Sequence, residues 1–167
     1  MTGTAGILGA APTLFNWDPY SQSVFNLLST ELNSLANSST TTLSTLGAAF
    51  DNSVSGAGAS FGDIYADVEF IAGAGYSPTA GGFIELWLLR TLNAGTNYED
   101  GSSSIPPARP ADIIIPVRNG TTITPRAGMP GLILPPGAYK PLARNQSGAT
   151  LPSTGNIIRI RPYSEQY

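Results

Sequence analysis

Asp63-Ile64-Tyr65-Ala66-Asp67-Val68-Glu69-Phe70-Ile71-Ala72 decides the fold class. Ile64, Ala66, Val68 and Phe70 fall on one side of an extended chain, and Asp63, Tyr65, Asp67 and Glu69 on the other. That period of two is the signature of a strand with one buried and one wetted face. After a turn over residues 77–82, residues 83–92 repeat the alternation. Ile84, Leu86 and Leu88 share one face, while Phe83, Glu85, Trp87 and Leu89 share another that is too apolar for bulk water. Residues 111–118 alternate again, with Ile113, Ile115 and Val117 inward, Asp112 and Arg118 outward, and Pro116 marking an edge position. Asn119-Gly120 is the strongest hairpin signal in the chain and leads into residues 121–124. Residues 132–134, 139–144 and 157–163 complete the set, separated by Pro135-Pro136-Gly137 and by residues 146–155. Short strands between Gly/Pro turns predict an all-β protein, an antiparallel β-sandwich of jelly-roll or related Greek-key type.

The strand pattern covers residues 63–167, and residues 1–62 read as an N-terminal arm or extension, partly flexible. Within it Asp18-Pro19 has the form of a helix cap and first position, and Val24, Leu27, Leu28, Leu32 and Leu35 follow at helical spacing. Ser, Thr and Asn crowd the same stretch and compete for backbone hydrogen bonds, so an extended arm or strand stands beside the helix as an alternative. Residues 37–45 and 54–62 read as loops or flexible connections, and residues 93–110, with their glycines, serines and prolines, as a long exposed loop.

Composition narrows the chemistry. The 167 residues include no His, no Cys and one lysine, Lys140. The commonest general base, the commonest metal ligand and the most reactive thiol are therefore missing, which argues against an enzyme and implies no cofactor. A net charge of -3 and a pI near 4.7 argue against nucleic acid or an anionic membrane as partner. No stretch reaches the roughly 20 apolar residues of a membrane span. The apolar residues 5–15 have no basic residue before them and so read as mature protein rather than a signal.

Each candidate motif has a plainer alternative. Gly58-Ala59-Ser60-Phe61-Gly62 matches a nucleophile elbow, but that device needs a preceding strand, a following helix and a histidine; loop composition accounts for it. Asp63, Asp67 and Glu69 on one strand face offer oxygen ligands for Ca²⁺, and the plainer reading is a solvated face or one paired with arginines of a neighbouring strand or subunit. Trp87 with Tyr98, Tyr139 and Tyr163 would make a sugar-stacking platform, although packing suits Trp87 better amid its leucines. Arg159, Arg161, Tyr163, Glu165 and Tyr167 alternate on one face of the tail, and Arg and Tyr are enriched at binding hot spots.

Several of these stretches together resemble a family of small tailed-bacteriophage virion proteins. They are Tyr65-Ala66-Asp67-Val68-Glu69-Phe70, Phe83-Ile84-Glu85-Leu86-Trp87-Leu88-Leu89, Gly95-Thr96-Asn97-Tyr98-Glu99-Asp100-Gly101, residues 113–118, Leu134-Pro135-Pro136-Gly137-Ala138-Tyr139-Lys140 and Arg144-Asn145-Gln146-Ser147-Gly148. The likeness runs over residues 63–163 and consists of strand and turn signatures. It implies a jelly-roll cement, or decoration, protein, made in the host bacterial cytoplasm and bound to the outer capsid surface. There it would bridge neighbouring major capsid proteins as a small homo-oligomer, a dimer or trimer. Trp87, Arg118, Arg159, Arg161 and Tyr163 are the candidate interface residues. A tail, neck or fibre-associated virion component and a carbohydrate-binding β-sandwich are the competing expectations.

Overall fold

The computed structural model describes residues 16–17, 25–42, 50–51, 65–90, 98–99, 105–119, 126–135, 137–163 and 165–166. Ten strands lie among them: β1 (Asn16–Trp17), β2 (Phe25–Leu28), β3 (Phe50–Asp51), β4 (Tyr65–Ile71), β5 (Phe83–Arg90), β6 (Ile113–Pro116), β7 (Arg126–Ile133), β8 (Ala138–Gln146), β9 (Ile157–Tyr163) and β10 (Glu165–Gln166). They form two four-stranded sheets, β2-β9-β4-β7 and β3-β8-β5-β6, and a ribbon of β1 with β10; every pairing is antiparallel. From β2 to β9 the strand orders 1-8-3-6 and 2-7-4-5 are those of a jelly roll. The fold class expected from the alternating segments is the one observed.

The alternation works as the sequence implies. Ala66, Val68 and Phe70 of β4, Ile158 and Ile160 of β9, Ile84 and Leu86 of β5, and Ile113 and Ile115 of β6 form one core, each at most 2 % exposed. Burying an aliphatic side chain of this size stabilises by about 1.5–3 kcal/mol, so this layer is the main cohesive force between the sheets. Pro116 does sit on an edge strand, since among the described residues β6 pairs with β5 alone. The hairpin expected at Asn119-Gly120, leading into residues 121–124, lies outside the described residues. The strands on either side of it, β6 and β7, belong to different sheets. A turn dipeptide specifies chain reversal but not which sheet receives the next strand.

The core also takes in part of residues 1–62, the segment read as an arm. β2 pairs with β9, and Leu27, Leu28 and Leu32 are buried in the common core. The helical spacing of these leucines has another origin. A register shift between Asn26 and Leu28 turns both Leu27 and Leu28 inward, and a single 3-10 turn over Thr30–Leu32 brings Leu32 after them. A bulged strand followed by a tight turn therefore imitates a helical period.

Two buried asparagines hold the polar stretch that follows. Asn145 is fully buried, and its amide nitrogen donates to the carbonyls of Leu35 (2.9 Å) and Ala149 (2.8 Å). Its Oδ1 accepts from the Ser147 backbone N–H (3.0 Å) and hydroxyl (2.6 Å), which completes the capacity of the amide. Asn156 accepts from the Gly73 N–H at 3.0 Å and donates to Asn33 and to the Pro152 carbonyl. Thr41, also buried, exchanges its backbone N–H and hydroxyl with the backbone of Ala143. Residues 38–41, part of the stretch 37–45 read as a loop from its composition, are thus fastened along β8.

Asn145→Ala leaves the buried Ser147 N–H without its acceptor and takes one donor each from the Leu35 and Ala149 carbonyls, which keep the Leu151 N–H and the Ser147 hydroxyl, and is expected to cost roughly 1–3 kcal/mol. Asn37→Ala removes two exposed bonds, one from the Gly148 N–H and one to the Ser38 hydroxyl, and should cost under about 1 kcal/mol. Urea unfolding of the two variants checks the contrast.

Burial raises the phenol pKa of both Tyr76 and Tyr139 above its ordinary value. At Tyr139 the nearby Arg90 opposes this shift, while Glu99 and Asp112 add to it; its hydroxyl donates to the Pro135 carbonyl. The folded state therefore holds these protons more tightly than the unfolded chain. Their contribution to stability is complete below about pH 10 and is lost as pH rises through the higher folded values. Melting followed from pH 8 to 11.5 should show Tm falling only above about pH 10.

Candidate binding surfaces

The outer face of the β3-β8-β5-β6 sheet carries the apolar side of β5. Its pairing with β6 ends at Leu86 opposite Ile113, so the edge of β5 beyond Leu86 needs other partners. Side chains supply them. Asp112 Oδ2 accepts from the Leu88 N–H at 2.7 Å, and Arg109 Nη2 lies 3.4 Å from the Leu88 carbonyl. The Glu99 N–H donates to the Arg90 carbonyl at 3.0 Å. Arg109 is itself gripped by Asp112 at 2.6 Å and Glu99 at 2.7 Å. The Asp112 hydrogen bond, with Glu99 beside it, pushes the guanidinium pKa up further against the opposing effect of burial, so the group is charged throughout the accessible range.

This strap decides where Trp87 goes. Its indole N–H donates to the Arg109 carbonyl at 3.1 Å, and the ring packs with Leu89, Leu142, Tyr98 and Ala111 in a second small core. Trp87 is 2 % exposed. Arg144 lies 5.8 Å from its ring centre while bonding Glu85 at 2.6 Å, and Lys140 Nζ sits 4.6 Å from the Tyr98 ring centre. The face too apolar for water is therefore covered by the chain itself. Trp87 is consequently neither an exposed interface residue nor a sugar-stacking platform. The described parts of the expected exposed loop, residues 98–99 and 105–110, include this cover.

The outer face of the other sheet is charged. Glu69 of β4 lies opposite Arg159 of β9, with an ion pair at 2.5 Å, and Asp67 lies opposite Arg161. Asp67 Oδ1 also accepts the N–H of Gly131, whose φ of 74° belongs to a bulge in β7 where a side chain would be strained. On the far side of Glu69 stands Gly128, and its missing side chain leaves a shallow groove of about 360 Å³ lined by Asp67, Glu69, Met129 and Pro130. Glu69 is thus engaged by a cross-strand arginine and Asp67 by the Gly131 N–H, in line with the expectation of a face that is solvated or paired with arginines. Asp63 lies outside the described residues, as does residues 58–62 with the nucleophile-elbow match.

Arg118 is exposed just past β6, and Arg159 and Arg161 are half-buried together on β9. Tyr163 pairs with Tyr65 in the ladder, but its side chain is outside the described set. The structure brings Arg159 and Arg161 to one surface and places Arg118 apart from them. Sequence reasoning missed Glu99, Arg109 and Asp112; the available signal was an arginine held between prolines with an aspartate three residues on. Among the described residues no group of three or more His, Cys, Asp or Glu could hold a metal ion, and no helix is long and apolar enough to cross a membrane. Comparison with protein-family models, curated proteins and solved structures found no match to this chain.

Arg109→Ala should expose Trp87 and lower stability by roughly 1–2 kcal/mol, a figure discounted because the ion pairs are about one-third exposed. In a Trp17→Phe background, indole emission is expected to move to longer wavelength. An unchanged maximum would show that the strap does not keep Trp87 dry.

Proposed function

We propose that this chain is a jelly-roll decoration protein that binds the outer surface of a tailed-phage capsid and stabilises the shell. A fold alone names no function, so the reading rests on a surface. Edge strands β6 and β7 lie side by side along one side of the sandwich. They expose Ile114 (52 %) on the outer side of one sheet and Met129 (39 %) and Ile133 (66 %) on the edge strand of the other, and Arg118 follows at the end of β6. Aliphatic side chains in the open with a cation at the rim suit attachment to another protein. The resemblance in the strand and turn motifs supplies the identity of that protein, the major capsid protein, and the location, the outside of the virion.

The physical work is mass action. A protein that binds the assembled lattice and not its free subunits stabilises each site by about 2.7 kcal/mol when its free concentration is 100 times its Kd. Rigidity helps, because a preformed surface loses little entropy on docking. The buried asparagine bonds and the Arg–carboxylate pairs across both sheets supply it.

The test is co-sedimentation of purified protein with expanded shells of the cognate capsid protein, with stoichiometry from gel densitometry. Near-stoichiometric binding and a higher shell melting temperature are expected. Ile114→Asp should weaken binding by about tenfold or more while leaving the protein's own Tm nearly unchanged, since the side chain is already exposed. A few copies per particle, or none, would rule the reading out.

A further inference from the structure

We propose that the outer face of the β2-β9-β4-β7 sheet pairs with the same face of a second copy. The two-fold axis would run parallel to the strands, between β9 and β4. The inference is independent of the capsid reading and rests on how residues are ordered across this face.

At one level of the sheet the four strands present, in order, Asn26, Arg159, Glu69 and Gly128. Asn26 and Gly128 are exposed, and the side-chain relative exposures of Arg159 and Glu69 are both 30 %. At the next level Arg161 lies beside Asp67, and on the other side of the charged levels half-buried Ile157 lies beside half-buried Ile71. Basic residues thus form a column on β9 and acidic residues a parallel column on β4.

A two-fold axis in the plane of contact, parallel to the strands and midway between these columns, reverses the strand order without changing the level. Glu69 of the second copy then lies over Arg159, and Arg159 of the second copy over Glu69. Asp67 and Arg161 exchange in the same way. Asn26 of the second copy comes over Gly128, where the missing side chain has left the groove. The Ile71–Ile157 levels of the two copies meet each other. One operation therefore matches charge with opposite charge, projection with hollow and aliphatic with aliphatic.

A partner of a single charge sign would be attracted by one column and repelled by the other. A second copy carries the reversed columns by symmetry, as an isologous contact requires. Each ion also keeps its partner within the chain, which limits the desolvation cost of covering the ladder.

The size of the face sets the strength. Four strands spaced by about 4.8 Å and seven residues rising about 3.3 Å each give a patch of roughly 20 by 23 Å, or about 900 Å² over both copies. That is the low end for specific contacts, so the dimer should be weak and salt-sensitive.

Sedimentation equilibrium of the full chain, up to about 1 mM in low salt, tests this. Wild type is expected to form a dimer that weakens at high salt. Glu69→Arg alone and Arg159→Glu alone should each be monomeric, because like charges then meet across the axis. An equimolar mixture of the two should recover the dimer, since the changed columns complement each other. The double variant Glu69→Arg/Arg159→Glu keeps the pair within the chain and should fold and dimerise, so a poorly folded single variant leaves the test intact. A monomeric or trimeric wild type, a dimer that survives either single change, or a folded double variant that stays monomeric would each overturn the proposal. Shell binding is read separately, so failure here would not be mistaken for failure of the capsid reading.

Discussion

Asn145 uses its whole amide in the interior, tying the carbonyls of Leu35 and Ala149 to the Ser147 turn at the end of β8. The loops of this chain are rich in Gly, Ser and Thr, which bury little apolar surface of their own. Wherever such a loop crosses the sandwich, its backbone groups must be satisfied or the fold loses more than the loop gains. Asn145 and Asn156 meet that constraint from inside, as fixed donors and acceptors. With residues 33–41 held in this way, β2 stays beside β9 and Leu27, Leu28 and Leu32 can close one end of the core.

The two sheets treat their outer faces in opposite ways, and both arrangements follow from strand ends. β5 runs past the end of β6, so its backbone at Leu88 requires substitutes for a strand, and Asp112 and Arg109 supply them. Closing that edge also buries the indole of Trp87, and a face that would otherwise be sticky becomes a second small core. β4 is flanked along its length by β7 and β9, so its outer residues meet arginines in a ladder and remain partly in water. Among the described residues the exposed surface thereby includes the charged face and the aliphatic side chains along β6 and β7.

This division has a physical logic for a binding protein. A covered apolar face removes a route to non-specific association, while a mixed-charge face selects partners by pattern and contributes little affinity of its own. Pro116 and the Pro130-Gly131 bulge interrupt the edge strands so that they do not recruit other strands indiscriminately.

Period-two alternation in residues 63–72, 83–92 and 111–118 was enough to determine the fold class, the inward residues of β4, β5 and β6, and the edge position of Pro116. Those features are local, because a side chain's face in a strand depends only on its parity. The sequence also marked the outer face of β5 as too apolar for bulk water and the acidic face of β4 as either solvated or paired with arginines. It did not reveal that the cover would come from Arg109 and Asp112, that Leu27 and Leu28 would both turn inward at a bulge, or that β6 and β7 would separate into different sheets. Those outcomes belong to the tertiary structure, because each depends on which distant backbone groups lack a partner once the sheets have packed, and no local period encodes that.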